Sequence, residues 1–307
     1  MSEFMQQTPL EADIGFSESW LTLREPADHL ARNVSLNDPL TTWFKQQSTH
    51  YVLELGAGTG SNLRYLMPQM GHDQHWLLLD NDVALFTCLP DRLKVWANKQ
   101  NASVRAENNR YIVEHENFSA TIECKVINLA SELDQIPVDK VQLITASALL
   151  DLTSAEWLNQ LAALIHRHRC ACLFALNYNG KIQWQPEHDA DSMVSALLNQ
   201  HQLNDKGFGK ALGPRAGHYF AQTLKKTGRQ VMTGESDWLI MPESHELQLA
   251  IVDGWAPAAL EQDNDANRAT IQQWHIGRKQ TIDQRQTALT VGHIDVLSLP
   301  FGRTTAG

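Results

Sequence analysis

No stretch of these 307 residues is apolar for long enough to cross a bilayer, because a helical crossing needs about 20 consecutive apolar residues. A membrane partner is not expected. Positive charge is also scarce: 25 Lys and Arg stand against 35 Asp and Glu, a formal net charge of −10. A phosphate backbone is held by an extended basic surface, and the clusters HRHR at 166–169 and KK at 225–226 are short. Nucleic acid is therefore excluded as the main partner. HRHR falls in the last turn of an expected helix, where the dipole favours cations without any ligand. Cys88, Cys124, Cys170 and Cys172 lack zinc spacing. Cys170 and Cys172 alternate along an expected strand, as small buried residues of a reducing compartment do, and no metal site is expected. The opening MSEFMQQTPLEAD has neither a basic n-region nor an apolar h-region, so no secretion signal is read and a cytoplasmic protein is expected.

With 43% hydrophobic and 20% charged residues, the chain has an ordinary globular make-up, enough for one large core or one domain with sizeable insertions. Its most informative stretch is YVLELGAGTG, Tyr51 to Gly60, with HWLLLD ending at Asp80. The apolar run of residues 51–55 reads as a buried parallel strand, and Gly56, Gly58 and Gly60 form a turn whose backbone a ligand can approach. From Ser61 onward Leu63, Leu66 and Met67 fall at helical spacing, so free amides at the helix start face whatever lies over the glycines. Asp80 ends a second strand with a carboxylate placed to accept from ribose hydroxyls.

A dinucleotide fingerprint would need glycine at position 61, where Ser61 stands. The pattern present, E-x-G-x-G-x-G from Glu54 to Gly60, resembles motif I of the class I S-adenosylmethionine-dependent methyltransferases, with Asp80 similar to that family's ribose-binding acid. The resemblance implies S-adenosylmethionine as cofactor. It implies Glu54 at the cofactor's amino group, Gly56, Ala57, Gly58 and Gly60 around its amino acid moiety, and Asp80 with Asn81 at the ribose. VQLIT, Val141 to Thr145, reads as a fourth strand, and in the family the residues after it border the methyl group. Here those are Ser147, Leu149, Leu150 and Asp151. Asn128, Leu129 and Ala130 follow an expected third strand over 122–129 and would meet the adenine, although Asn128 departs from the acid many members carry. The chain lacks N-P-P-Y or D-P-P-Y after its fourth strand, which points to a small-molecule acceptor.

The expected fold is α/β: a seven-stranded, mostly parallel twisted sheet with helices on both faces and the last strand antiparallel. Residues 1–48 form an N-terminal helical lid, with helices near 26–34 and 39–46 started by Pro26 and by Asp38 with Pro39. Residues 49–307 form the Rossmann-like domain with helical insertions at about 180–213 and 243–286. Asp82 caps a helix that Pro90 interrupts, and residues 98–120 read as a loop or short hairpin. Thr153 and Glu156 form a capping box for a helix burying Leu158, Leu161, Ala162 and Ile165. A fifth strand spans 171–176, and a helix near 190–203 carries Met193, Ala196, Leu197 and Leu198. Another helix spans 216–226, a sixth strand 230–240 and a seventh 288–299, with helices around 244–260 and 266–280 between those two strands.

Methyl transfer needs alignment, exclusion of water and sometimes a base. Candidates for catalysis are Asp151, Tyr178 and His218; for substrate binding, Asp151, Tyr178, Arg215, His218 and Tyr219; His188 and Asp189 are further options. Asp151 also reads as a turn or cap residue. Arg24 could reach the cofactor's carboxylate or an acidic substrate, or form a surface ion pair within WLTLREPADHLARN. Gly207, Gly209, Gly213 and Gly217 suggest a mobile loop around GPRAGHYF. Trp20, Trp43 and Trp184 could stack on a planar substrate or pack the core. The expected activity is methyl transfer to a small molecule; the alternatives are a cofactor-binding protein without turnover and a nicotinamide-dependent oxidoreductase, which Ser61 counts against.

Overall fold

The computed structural model describes residues 16–263 and 266–301. Residues 1–15 of the expected lid lie outside the described residues. Helix α1 (Glu18–Ala31) is capped by Ser17, whose hydroxyl accepts from the Trp20 amide, so Pro26 lies inside the helix and does not start it. Helix α2 (Asn37–Lys45) likewise starts before Pro39 and includes Asp38, which is therefore not its cap. Strand β1 (Tyr51–Leu55) leads through the glycine turn to α3 (Ser61–Met70), then β2 (His72–Asp80) and α4 (Val83–Gln100).

Pro90 does not interrupt α4. Asp82 caps the helix by accepting from the Ala84 amide, and the helix runs through Pro90 while burying Leu85, Leu89, Leu93 and Ala97. An interior proline costs about 3 kcal/mol, and each fully buried Leu returns about 1.5–3 kcal/mol, so burial wins. The polar stretch before the third strand is a hairpin, β3 (Ser103–Glu107) and β4 (Arg110–His115). Its turn residues Asn108 and Asn109 have φ of 48° and 63°, the double left-handed geometry of a two-residue turn that Asn tolerates.

Strand β5 (Phe118–Val126) is the expected third strand, displaced toward the N-terminus so that residues 127–129 lie beyond it. Next come β6 (Leu143–Ser147), α5 (Ala155–His168) and β7 (Ala171–Gln185). The cap of α5 is Ser154, whose hydroxyl accepts from the Trp157 amide, while the Thr153 hydroxyl donates to the Leu150 carbonyl. The cap therefore falls one residue later than expected, and with Trp157 at the third helical position the expected Thr153–Glu156 capping box does not form.

Strand β7 runs well past Leu176. A left-handed φ of 54° at that residue turns the strand without ending it, so Asn177 and Tyr178 are interior to β7. Helices α6 (Asp191–His201) and α7 (Ala216–Lys226) follow. On α6 the buried residues are Val194 and Leu198, and Ala196 faces solvent. Gly217 sits within α7, where an added Cβ would come within 2.5 Å of the Ile294 side chain, so the expected glycine loop is in part packed helix. The expected sixth strand is two, β8 (Gln230–Glu235) and β9 (Trp238–Ile240), separated at Ser236 and Asp237. Helices α8 (His245–Asp263) and α9 (Arg268–Asp283) precede β10 (Ala288–Leu299).

Among the described residues the sheet has ten strands, in the order β3-β4-β5-β2-β1-β6-β7-β10-β8, with β9 also pairing β10. The hairpin and the divided sixth strand account for the excess over seven. β5, β2, β1, β6 and β7 are mutually parallel, and β10 is antiparallel to β7, β8 and β9. The expected α/β class, with a mostly parallel central sheet and an antiparallel last strand, is met. Alternation along β1 sends Leu53 and Leu55 to a core shared with α5 and α7, and Val52 to one shared with α2, α3 and α4. Cys170 and Cys172 are free and buried in the first of these. A third core joins the far half of β7, β9 and β10 to α1, α6, α8 and α9. There Arg278 pairs with Asp191, donates to the Pro186 carbonyl at 2.9 Å and lies over Trp184. No helix among the described residues is long and apolar enough to cross a membrane.

Candidate functional site

Strand order reverses between β1, which leads outward to β2, and its other neighbour β6, so the carboxyl ends of these strands frame a crevice. Gly56, Gly58 and Gly60 all have positive φ. At Gly60, the cap residue that ends the turn into α3, φ is +80° and an added Cβ would lie 2.7 Å from Leu89 Cδ1, so any other residue would be strained there and would displace that leucine. Asp80 closes the crevice at β2: its Oδ2 accepts from the Gly58 amide at 2.7 Å and its Oδ1 from the Asp82 amide at 3.0 Å. Burial raises the Asp80 pKa, against these backbone amides. Each oxygen keeps a lone pair for a further donor.

Glu54 is 1% exposed on β1, and its Oε2 has no partner. Burial pushes its carboxyl up to about 8, against the nearby charges of Arg64 and Arg32 and the Asn62 amide. Beyond β6, Ser147 is half-buried, and Leu149 Cδ1 lies 3.5 Å from where a Gly56 Cβ would be. Asn81 is exposed. Asn128 is exposed and turned to its own loop, accepting from the Ala130 amide at 3.0 Å, while the buried Leu129 accepts from Trp157 Nε1 through its carbonyl at 2.8 Å.

Helix α1 lies across this crevice. An added Cβ at Gly58 would come within 3.2 Å of Leu21 Cδ1. One turn along, Arg24 is buried, bonded twice to Asp28 at 2.9 and 3.0 Å and placed 4.9 Å from the Trp238 ring. Glu25 forms two bonds of 2.8 and 2.6 Å with Arg64 of α3. Arg32 donates to Asn62 at 2.7 Å and faces Asp295, which also accepts from the Asn33 and Leu176 amides. At the outer end, Arg92 of α4 bonds Glu18 and Thr22.

Asp151, in a short 3₁₀ turn after β6, is buried with Oδ1 unpartnered. Burial raises its pKa to about 6, countered by its own amide, Arg24 and the Tyr178 amide. Tyr178 donates to Asn199 at 2.9 Å, and its ring meets His293 edge-on at 6.2 Å. Burial and the Arg24 charge hold His293 down at about 3, against Asp237 and the Val291 carbonyl, so the imidazole is neutral.

The other expected substrate residues stand apart. Arg215 and His218 are exposed at the start of α7, and Tyr219 donates to Asn159 of α5 at 3.1 Å. His188 accepts from the Ala190 amide at the start of α6, and Asp189 is exposed. Trp20 and Trp184 pack the third core, and Trp43 packs the core under α2. A groove of about 520 Å³ runs along the other flank of α1, between Leu23, Ala27, Leu30, Leu239 and Glu243, and shares no residue with the crevice. Asp28 and Arg32 lie in the segment WLTLREPADHLARN that the sequence offered, with Arg24, for covering the cofactor, whereas Arg64, His293 and Asp295 were not expected at the site. For the last two the available signal is a pair of polar residues, H-I-D, inside the apolar run of β10.

No protein-family model matches the chain, and no curated protein does. Solved structures with a similar arrangement include a cyclopropane synthase from Mycobacterium tuberculosis, 11% identical with TM-score 0.46, covering 93% of this chain and 95% of that one. Another is a SAM-dependent methyltransferase from Thiobacillus denitrificans in complex with S-adenosyl-L-homocysteine, 11% identical with TM-score 0.41 over 92% and 99%. At these values the likeness is one of outline, and the fold is defined by the strand order and pairing given above.

Proposed function

We propose that the chain is a class I methyltransferase that binds S-adenosylmethionine in the β1–β2 crevice and transfers its methyl group to a small molecule under cover of α1. The observation that carries this reading is the pairing of Glu54 and Asp80 across the glycine turn. One buried carboxyl group keeps an unpartnered oxygen for the cofactor's ammonium, whose charge would favour its ionised form, and the other keeps free lone pairs at a strand end for its ribose hydroxyls. The donors of the cofactor and the acceptors of the crevice are complementary.

In this reading the cofactor supplies an electrophilic methyl group on a sulfonium. Gly56, Ala57, Gly58 and Gly60 admit its amino acid portion, Asp80 and Asn81 hold the ribose, and Ser147 with Leu149 borders the methyl. Leu21 lies in the Gly58 cradle, so α1 yields when the cofactor enters and returns to exclude water. Asp151, with one oxygen free, holds or takes the acceptor's proton, and Tyr178 shapes the wall beside it. Arg24 is bound to Asp28 and acts on Asp151 through its charge, in place of the expected contact with the cofactor's carboxylate.

Thermal unfolding with S-adenosylhomocysteine tests this. The product raises the midpoint of the wild type, Asp80→Ala abolishes the rise, and NADH gives none. An NADH shift without a product shift refutes the proposal.

A further inference from the structure

The groove on the outer flank of α1 has no part in the crevice. Leu23, Ala27 and Leu30 recur at the spacing of one helix face, the face opposite Leu21, Glu25 and Arg32. Leu239 and Ile240 of β9 and Leu247 of α8 form the facing wall, and between the two lie about 520 Å³. Beside this hollow stand apolar side chains that project into solvent: Leu30 is 89% exposed, Leu239 71% and the neighbouring Met241 53%. β9 pairs with β10 alone, so the same rim is an edge of the sheet, and edges invite association. Apolar side chains gathered at one place on a surface mark a docking site.

The exposure of the walls says what kind of partner docks. A pocket for a small molecule buries most of its guest, whereas here the leucines that line the hollow are themselves mostly in solvent. Only another protein surface covers them. The charges narrow the choice further. Asp237 is spent on Lys181 at 2.8 Å and on the His293 amide at 3.0 Å, and His245 on Asp283 at 3.1 Å. Glu243 and Glu246 have no hydrogen bond or ion pair among the described residues. Arg285 donates to the Pro242 carbonyl at 3.3 Å and keeps its other donors free. A wholly basic partner would be set against Arg285, and a wholly acidic one against Glu243 and Glu246. A second copy of the chain brings both signs, and it brings a hollow together with the apolar side chains that fill one.

We propose that this face is where two copies of the chain meet about a twofold axis. Leu30 and Leu239 of each copy lie in the groove of the other, and Arg285 of each lies against the acids at the start of the other's α8. Such an isologous contact uses the same patch on both sides and stops at two chains. The crevice lies on the opposite flank of α1, so the proposal is independent of the methyltransferase reading.

Light scattering on the full chain across a dilution series tests this. The wild type is expected to weigh twice 34.6 kDa when concentrated and to fall toward 34.6 kDa on dilution. Leu30→Glu and Leu239→Glu are each expected to give a single chain at every concentration, with the circular dichroism of the wild type, because both positions face solvent within one copy. Arg285→Glu sets acid against acid and weakens the dimer several-fold; adding Glu243→Arg and Glu246→Arg to it restores the opposite signs and the dimer. A single-chain mass for the concentrated wild type overturns the proposal, whatever small amphiphile or peptide then binds the groove. So does a dimer that survives both leucine variants, a mass that climbs past two chains, or a charge-reversed variant that stays apart.

Discussion

Leu21 of α1 stands over Gly58 so closely that an added Cβ on the glycine would meet its Cδ1 at 3.2 Å. If the proposed cofactor binds over the glycine turn, it and the helix compete for the same cradle. Leu21→Ala is expected to tighten S-adenosylhomocysteine binding several-fold by titration calorimetry. The half-buried position costs about 1–2 kcal/mol of stability, below the range for full burial. An unchanged affinity would place the cradle off the binding path.

Asp80 supports the glycine turn as well as offering its lone pairs, because both of its oxygens hold backbone amides. Asp80→Asn keeps one acceptor oxygen and forces its amide nitrogen against a backbone N–H. It is expected to weaken S-adenosylhomocysteine at least tenfold, a loss of about 1.4 kcal/mol or more, with a smaller fall in melting temperature. Equilibrium dialysis of wild type and variant checks this.

Glu54 makes stability depend on pH. Its carboxyl titrates at about 8 when folded, against 4.5 as its ordinary value, so between those values the folded chain binds more protons than the unfolded one. Its contribution is fully present below about 4.5 and is lost as pH rises to about 8. Asp151 adds to the same trend between 3.8 and about 6. Urea midpoints should fall across this window in the wild type and flatten above pH 6 in Glu54→Gln. A variant that follows the wild-type curve would assign the slope to other groups.

Arg278 fastens the insertion helices to β7, with a 2% exposed side chain paired to Asp191. Arg278→Ala leaves that carboxylate without its cation and strips one face of Trp184. The expected loss is about 3 kcal/mol, as for one partner of a buried pair, read by denaturant unfolding. A double-mutant cycle with Asp191→Asn should recover part of it.

The parallel half of the sheet was legible because β1 and β2 are apolar runs buried on both faces and the glycine turn separates strand from helix. β10 was legible by the same continuous burial. Starts and stops read from proline failed at Pro26, Pro39 and Pro90. A proline excludes one hydrogen bond, whereas Ser17 and the leucines of α4 decide the helices by capping and burial. The length of β7 was hidden because Leu176 turns through a left-handed φ, secured by Asp295 across 119 positions of sequence.

The same distance in sequence explains the site. Glu54, the glycines and Asp80 are local and could be named, and Asp151 follows its strand. Arg24 was singled out for its charge, and its partner Asp28 lies one turn on in the same helix, but Trp238 and His293 come from two strands that only the folded chain brings beside it. Arg215, His218 and Tyr219 shared a segment with conspicuous glycines, yet Arg215 and His218 are exposed at the start of α7 and Tyr219 packs against the first core and bonds Asn159.

The two ends of α1 are moored with very different strength. At its C-terminal end Asp295 holds the Asn33 and Leu176 amides and faces Arg32, all deep in the fold, while the outer end is tethered by the exposed Glu18 to Arg92. If the proposed cofactor enters past α1, the helix is expected to part first at this outer rim and to hinge where it is bolted. Dissolved salt, by screening the Glu18–Arg92 pair, would then be expected to hasten entry.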